Sequence, residues 1–247
     1  MKIILTGATG AMGHILQTLA AEGFADARIA ACVSPDFTEP LAPHTYLSPA
    51  DVTEEADVIV DFSNHAGTKD LLAFACERKL PAVIATTGHT EEEKACIEEA
   101  AKAIPVFFSA NMSVGIAVLC DLARRAAAAF PNADIEIIET HHHRKLDVPS
   151  GTALMLAKEI QTVREESRLV IGRHENGRRQ PEDIGIHAVR LGNETGTHQI
   201  LISTGSETLT LTHKAEDRRL FGEGGLTAAA WLIGKEPGLY GMKELLG

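Results

Sequence analysis

Apolar positions divide this chain into two regions with different periods. In the first, short unbroken apolar runs alternate with stretches in which apolar residues recur every three or four positions. The runs at 2–6, 27–33, 57–62, 81–85 and 105–109 read as strands of the buried parallel kind. Between them, helical spacing gathers Ile15, Leu16, Leu19 and Ala20 on one face, and Leu71, Leu72 and Ala75 on another. The acidic run at 91–93 opens a further helix, where it suits the positive end of the helix dipole. Prolines and weak periodicity make 37–54 mostly loop. A long helix over 113–130 follows, with Val114, Ala117, Val118 and Leu122 expected inward. From about residue 134 the period becomes two. Segments 135–140, 184–191, 198–204 and 207–213 alternate, which predicts an antiparallel or mixed sheet with one covered face. A helix over 153–165 turns Leu156, Ile160 and Val163 inward, 173–183 is a polar loop, and Gly205-Ser206 fits a hairpin turn. Segments 221–231 and 235–246 are helical in pattern and can return to the first region. This is the plan of an α/β protein.

Charge and composition remove several classes of function. A net charge of −11 argues against sequence-independent nucleic-acid binding, which needs a basic surface. The four cysteines lie far apart with no C-x-x-C, and are expected to be reduced thiols of a cytoplasmic protein. The first residues run straight into a strand, so no signal peptide is expected. No apolar run reaches the ~20 residues of a membrane span.

Two stretches carry candidate chemistry. The first is Gly7-Ala8-Thr9-Gly10-Ala11-Met12-Gly13, between a strand and a helix. Glycines there let the backbone approach a pyrophosphate, whose charge the free N–H groups of a helix N-terminus can meet. A tight turn with no ligand is the plainer alternative. Three further strands end in small polar residues, after Phe62, Ala85 and Phe108, as a dinucleotide crevice requires. The second strand ends Val33-Ser34-Pro35-Asp36, with neither the acid nor the arginine that would favour NADH or NADPH. The second stretch, residues 139–152, reads E-T-H-H-H-R-K-L-D-V-P-S-G-T. It concentrates protons and positive charge at the end of a strand, then offers hydroxyls and N–H groups at a helix start, a seat for a carboxylate or phosphate. Successive side chains on a strand point opposite ways, so His141 and His142 face one pocket only if the strand breaks there. A metal site or a set of plain surface bases are the competing readings, though adjacent strand positions seldom converge on one ion.

The combination E-x-H-H-x-x-K-x-D-x-P-S-G-T resembles the signature of the bacterial 4-hydroxy-tetrahydrodipicolinate (dihydrodipicolinate) reductases, enzymes of the diaminopimelate route to lysine. The resemblance extends along nearly the whole chain: G-A-T-G-A-M-G at 7–13, D-F-S at 61–63, T-T-G at 86–88, S-A-N-M-S-V-G at 109–115, R-Q-P-x-D-I-G-I-H at 179–187, G-N-E-T-G-T-H at 192–198 and L-T-H-K-A at 211–215. It implies an N-terminal Rossmann-type parallel sheet, residues 1–113 completed by 218–247, for NADH or NADPH. It also implies a smaller α+β domain with a mixed or antiparallel sheet, 114–217, that binds a small dicarboxylate and builds a homotetramer. By the same resemblance His141 is the proton donor and acceptor and Lys145 a second proton donor. His142, Ser150, Gly151 and Thr152 hold the substrate. Gly7, Ala8, Thr9, Gly10, Ala11, Met12, Ala85, Thr86, Thr87, Ser109, Ala110, Asn111 and Met112 contact the cofactor. No metal, nucleic acid or membrane enters. Ala11 stands where many members carry arginine, and Val33-Ser34 where some carry Glu-Arg. Two other readings stay open: another Rossmann reductase, such as an amino-acid dehydrogenase, and a sensor that binds NAD(P)H without turnover.

Overall fold

A computed structural model of the chain describes residues 1–38 and 42–247. The chain forms, in order, β1 (Lys2–Thr6), α1 (Ala11–Ala21), β2 (Arg28–Val33), β3 (Thr45–Tyr46), β4 (Val58–Asp61), α2 (Thr68–Arg78), β5 (Ala82–Ile84), α3 (Glu91–Ala100), β6 (Pro105–Phe108) and α4 (Val114–Ala129). There follow β7 (Asp134–His141), α5 (Gly151–Gln161), β8 (Arg168–Ile171), β9 (Asp183–Arg190), β10 (Gly196–Ser203), β11 (Thr208–Ala215), α6 (Arg219–Leu232), β12 (Gly238–Tyr240) and α7 (Met242–Leu246). They divide into two compact units, Met1–Ser113 with Arg219–Gly247, and Val114–Arg218.

The first unit is a wholly parallel seven-stranded sheet in the order β12-β6-β5-β4-β1-β2-β3. From β3 to β6 this is the doubly wound order, whose switch point falls between β1 and β4. The strands read as unbroken apolar runs because both faces are covered. Ile4, Ile59 and Ile84 point into a core shared with α2 and α3. Ile3, Leu5, Val58 and Val60 point into one shared with α1 and α6. The acidic opening of α3 has a specific use: Thr90 and Glu93 form a capping box.

The second unit is a mixed five-stranded sheet, β11-β10-β7-β9-β8, with β10 antiparallel to both neighbours and β7, β9 and β8 parallel. Helices α4 and α5 share its core with Ile135, Ile137, Ile184, Ile186, Ile200 and Ile202. The α/β architecture with a parallel sheet and a second, mixed one is thus the one expected.

Several local expectations are corrected. The 37–54 segment contains β3 and a short helical turn at Pro49–Asp51, and its residues 39–41 lie outside the described ones. Helix α4 buries Ile116, Leu119, Cys120, Ala123 and Ala127, while Val118 and Leu122 are exposed. The 235–246 segment is a strand followed by a short helix, because β12 adds to the edge of β6. Strand β8 was not foreseen.

Candidate active site

The turn from β1 into α1 lies at the sheet's switch point. Gly7 has φ +75°, and the N–H groups of Gly7 and Ala8 donate to Val33 O at 3.0 and 3.2 Å, which ties the turn to the end of β2. A Cβ on Gly7 would meet Phe62 O at 2.4 Å, and one on Gly13 would meet Gly7 O at 2.3 Å. Bare backbone is therefore packed directly on backbone. Gly10 precedes α1 and supplies no side-chain cap, so the helix presents its first-turn N–H groups without a cap residue of its own. That donor set, with no side chain in the way, fits a dinucleotide pyrophosphate.

Beside the turn, Asp61 is fully buried at the end of β4. Its carboxylate accepts from Thr6 Oγ1 (2.5 Å), Ser63 Oγ (2.5 Å), Ser63 N (3.1 Å) and Thr86 Oγ1 (2.8 Å). One carboxylate thus fastens the ends of β1, β4 and β5 together. Ala85 N donates to Asp61 O, and Thr87 is exposed just beyond. After β6, Ser109 Oγ donates to Asn111 O at 2.7 Å and Asn111 Oδ1 accepts from Ser113 N at 2.9 Å, while Ala110 is exposed. Met112 is buried in the α1-side core, and its carbonyl oxygen lies so close to Gly224 that a Cβ there would come within 1.7 Å of it, so Met112 is packed against α6 rather than open to a ligand. Thr9 Oγ1 and Ser34 Oγ share a 2.7 Å hydrogen bond at the end of β2, and Asp36 is exposed.

The second cluster grows out of β7. Its alternation turns Ile135 and Ile137 into the core and carries Glu139 and His141 onto the same face. Glu139 is wholly buried and His141 nearly so. Burial would raise the Glu139 carboxyl, but hydrogen bonds from His141 and Arg190, the His141 charge and the Ser150 N–H outweigh it and hold the group at about 2. His141 Nδ1 meets Glu139 Oε2, while Arg190 Nη1 and Nη2 take Oε2 and Oε1 at 2.9 and 3.0 Å. Ser150 N donates to Oε1 at 3.1 Å. His198, on β10, stands edge-on to His141 with ring centroids 5.1 Å apart and shares a 3.0 Å hydrogen bond with Ser150 Oγ. Burial and the neighbouring His141 charge bring His198 down to about 4, so it is neutral at physiological pH.

Strand β7 ends at His141, so His142 is not bound by strand alternation. Lys145 N closes a turn on His142 O at 3.1 Å, and Lys145 Nζ pairs with Asp147 Oδ1 at 2.8 Å. Burial and the charges of Arg144 and Arg218 lower the His142 pKa. Ser150 caps α5 through its hydroxyl, which accepts from Ala153 N at 3.2 Å, and Gly151 and Thr152 form the first turn. The structure therefore brings His141, Lys145 and the 150–152 helix start onto one connected loop. His143 and Arg144 instead fasten that loop to Gly192 O and Asn193 Oδ1. Among the described residues no group of three His, Cys, Asp or Glu is placed to hold a metal ion. No described helix is long and apolar enough to cross a membrane.

Sequence reasoning missed Asp61, Arg190, His198 and the role of Glu139. One signal was available: Glu139 continues the inward register of Ile135 and Ile137, and a charge at an inward position needs a partner.

A doubly wound sheet with a glycine cradle, in a chain that also carries a buried acid–base cluster, defines a nicotinamide-dependent oxidoreductase. Within that class, the chain belongs to the dihydrodipicolinate reductase family. The family's N-terminal model matches residues 1–112 and its C-terminal model residues 115–246. A 4-hydroxy-tetrahydrodipicolinate reductase of Caldanaerobacter subterraneus subsp. tengcongensis is 46% identical over 100% of this chain and 98% of its own length. One from Clostridium tetani is 39% identical over 100% of this chain and 97% of its own. Among solved structures, a dipicolinate-bound dihydrodipicolinate reductase from Paenisporosarcina sp. TG-14 superposes with a TM-score of 0.83 at 25% identity, covering 99% of this chain and 98% of that one.

Proposed function

We propose that this protein reduces 4-hydroxy-tetrahydrodipicolinate to tetrahydrodipicolinate, using NADH or NADPH, in the diaminopimelate route to lysine. The observation that carries the reading is the buried Glu139–His141 pair followed at once by Lys145 and the capped start of α5. The first-turn N–H groups of α1 would hold the pyrophosphate, and the loops at 85–87 and 109–111 would line the remainder of the dinucleotide. The 4-hydroxyl leaves as water to give a conjugated ring, and the cofactor, when bound, would supply the hydride that C4 of that ring receives. The neighbouring ring carbon must take a proton, and His141 delivers it. Lys145, beside Asp147, provides positive charge and is the second group able to supply that proton. Substrate carboxylates are seated by His142 and by Ser150, Gly151 and Thr152, where the helix N-terminus favours negative charge. A dicarboxylate suits one basic loop on an otherwise acidic protein.

We place the protein in the cytoplasm, where its free cysteines Cys32, Cys76, Cys96 and Cys120 stay reduced. Its assembly is a homotetramer built through the second unit, whose sheet face opposite Ile135 and Ile137 carries the cross-strand pairs Ile138–Gln199, Thr140–Thr197 and Glu136–Leu201. The test follows 340 nm absorbance with NADH, then NADPH, while the preceding synthase makes substrate from aspartate semialdehyde and pyruvate. Oxidation that depends on every component is the expected result. Tight cofactor binding without oxidation would overturn the reading in favour of a sensor.

A further inference from the structure

The geometry points to Glu139, clamped by Arg190, as the positioning residue that fixes His141 as its Nδ1–H tautomer and so makes Nε2 the atom through which the proton passes. This inference rests on the proposed role of His141 as proton donor, and adds which atom acts and what decides it.

Each oxygen of Glu139 receives two donors. Oε2 takes Arg190 Nη1 and His141 Nδ1, and Oε1 takes Arg190 Nη2 and Ser150 N. An ionised carboxylate can only accept. Glu139 is held at about 2, so it is ionised throughout the range in which an enzyme of this kind works. Nδ1 must therefore carry its hydrogen whether the ring is neutral or charged, and only Nε2 can gain and lose one. The Arg190 fork cannot swing away to relax this arrangement. Nη1 also donates to Val189 O at 2.9 Å, and Nη2 to Asp147 O at 2.8 Å. Through Asp147 the same guanidinium reaches the residue that pairs with Lys145, so one clamp orders both members of the acid pair.

The other ring nitrogen is treated in the opposite way. A Cβ on Gly196 would lie 2.9 Å from Nε2. Gly196 opens β10 and is buried, so a side chain at this place would crowd the reacting nitrogen. One edge of the imidazole is gripped by a carboxylate and the other is left bare. A buried ion pair serving stability alone requires neither the hydrogen bond to Nδ1 nor the space at Nε2.

The deciding measurement is ¹⁵N NMR of histidine-labelled protein across pH, with the His141 signals identified by their loss in His141→Gln, alongside steady-state kinetics. In the wild-type protein Nδ1 is expected to stay protonated while Nε2 titrates. The reverse pattern overturns the inference. Glu139→Gln, whose amide can donate to Nδ1, is expected to populate the Nε2–H tautomer. It should lower kcat by about 10²–10⁴-fold, the range seen when an orienting acid is made an amide or a proton transfer is lost. Its KM and cofactor affinity should change only a few-fold. Glu139→Asp is expected to recover part of the rate together with the Nδ1–H signal. Wild-type kcat in Glu139→Gln beside an inactive His141→Gln refutes the positioning role alone. Wild-type kcat in His141→Gln refutes the acid assignment on which it rests.

Discussion

Replacing Gly13 by alanine sets two effects of known size against each other. Alanine is favoured over glycine inside a helix by about 0.8–1.0 kcal/mol, and Gly13 is the third residue of α1. Against this, the new Cβ would lie 2.3 Å from Gly7 O, 2.6 Å from Ala8 O and 2.7 Å from Ala8 C, where real contacts stop near 3.0 Å. All three atoms are backbone of the turn that precedes the helix, so no side chain can rotate aside. Helix and turn must part by most of an ångström. Overpacking of this kind costs about 1–3 kcal/mol, which exceeds the propensity gain. The difference is a net loss of up to about 2 kcal/mol, and at about 2–4 °C per kcal/mol for a chain of this size the melting temperature should drop by up to about 8 °C. The same movement would draw the first-turn N–H groups away from the place proposed for the pyrophosphate. NADH affinity, followed by fluorescence titration, should weaken about tenfold, equivalent to about 1.4 kcal/mol. A variant that melts at or above the wild-type temperature and binds NADH equally well would refute both the close packing and the cradle.

Two further outcomes are expected. Glu139 sits at about 2 in the folded protein against an ordinary 4.5, so its contribution, about 3 kcal/mol, is complete above the unfolded value and is lost as pH falls from about 4.5 toward 2. Urea midpoints at pH 7, 5, 4 and 3 should begin to decline between pH 5 and 4 and fall further by pH 3, and far less in Glu139→Gln; parallel curves would exclude the assignment. Lys145→Ala should reduce kcat and raise KM for substrate with cofactor affinity unchanged, and wild-type kinetics in that variant would remove Lys145 from the mechanism.

The five inner strands of the first unit, β1, β2, β4, β5 and β6, were legible because burial on both faces writes them as apolar runs, and the glycine turn because strand, turn and helix are contiguous. Helix α4 was misread for a physical reason. Val118 and Leu122 lie on the same side as Asp121 and Arg125, which mark the outer face, while the buried face of Ile116, Leu119, Cys120, Ala123 and Ala127 is partly small residues that carry a weak apolar signal. What it packs against, the core of the second unit, is decided elsewhere in the chain. Strands β8 and β12 are short edge strands whose identity comes from the neighbour they pair with. In the site, His141, Lys145 and the 150–152 segment lie within one local motif. Arg190 lies 51 residues from Glu139, and nothing local to either names the other.

The return of the chain to its first sheet sets an order of assembly on the ribosome. Residues 114–218 hold their own helices, sheet and core, and can close while the remainder is still being made. The first unit cannot. Its α1-side core takes Leu226, Ala228, Ala229 and Leu232 from α6, all fully buried, and its outer strand beyond β6 comes from residues 238–240. Until those residues emerge, an apolar sheet face and an open strand edge stand exposed to other chains. The unit that carries Glu139 and His141 is thus finished before the unit with the parallel sheet, and a message cut short near its end yields a product with a sound second unit and a sticky, unclosed first one.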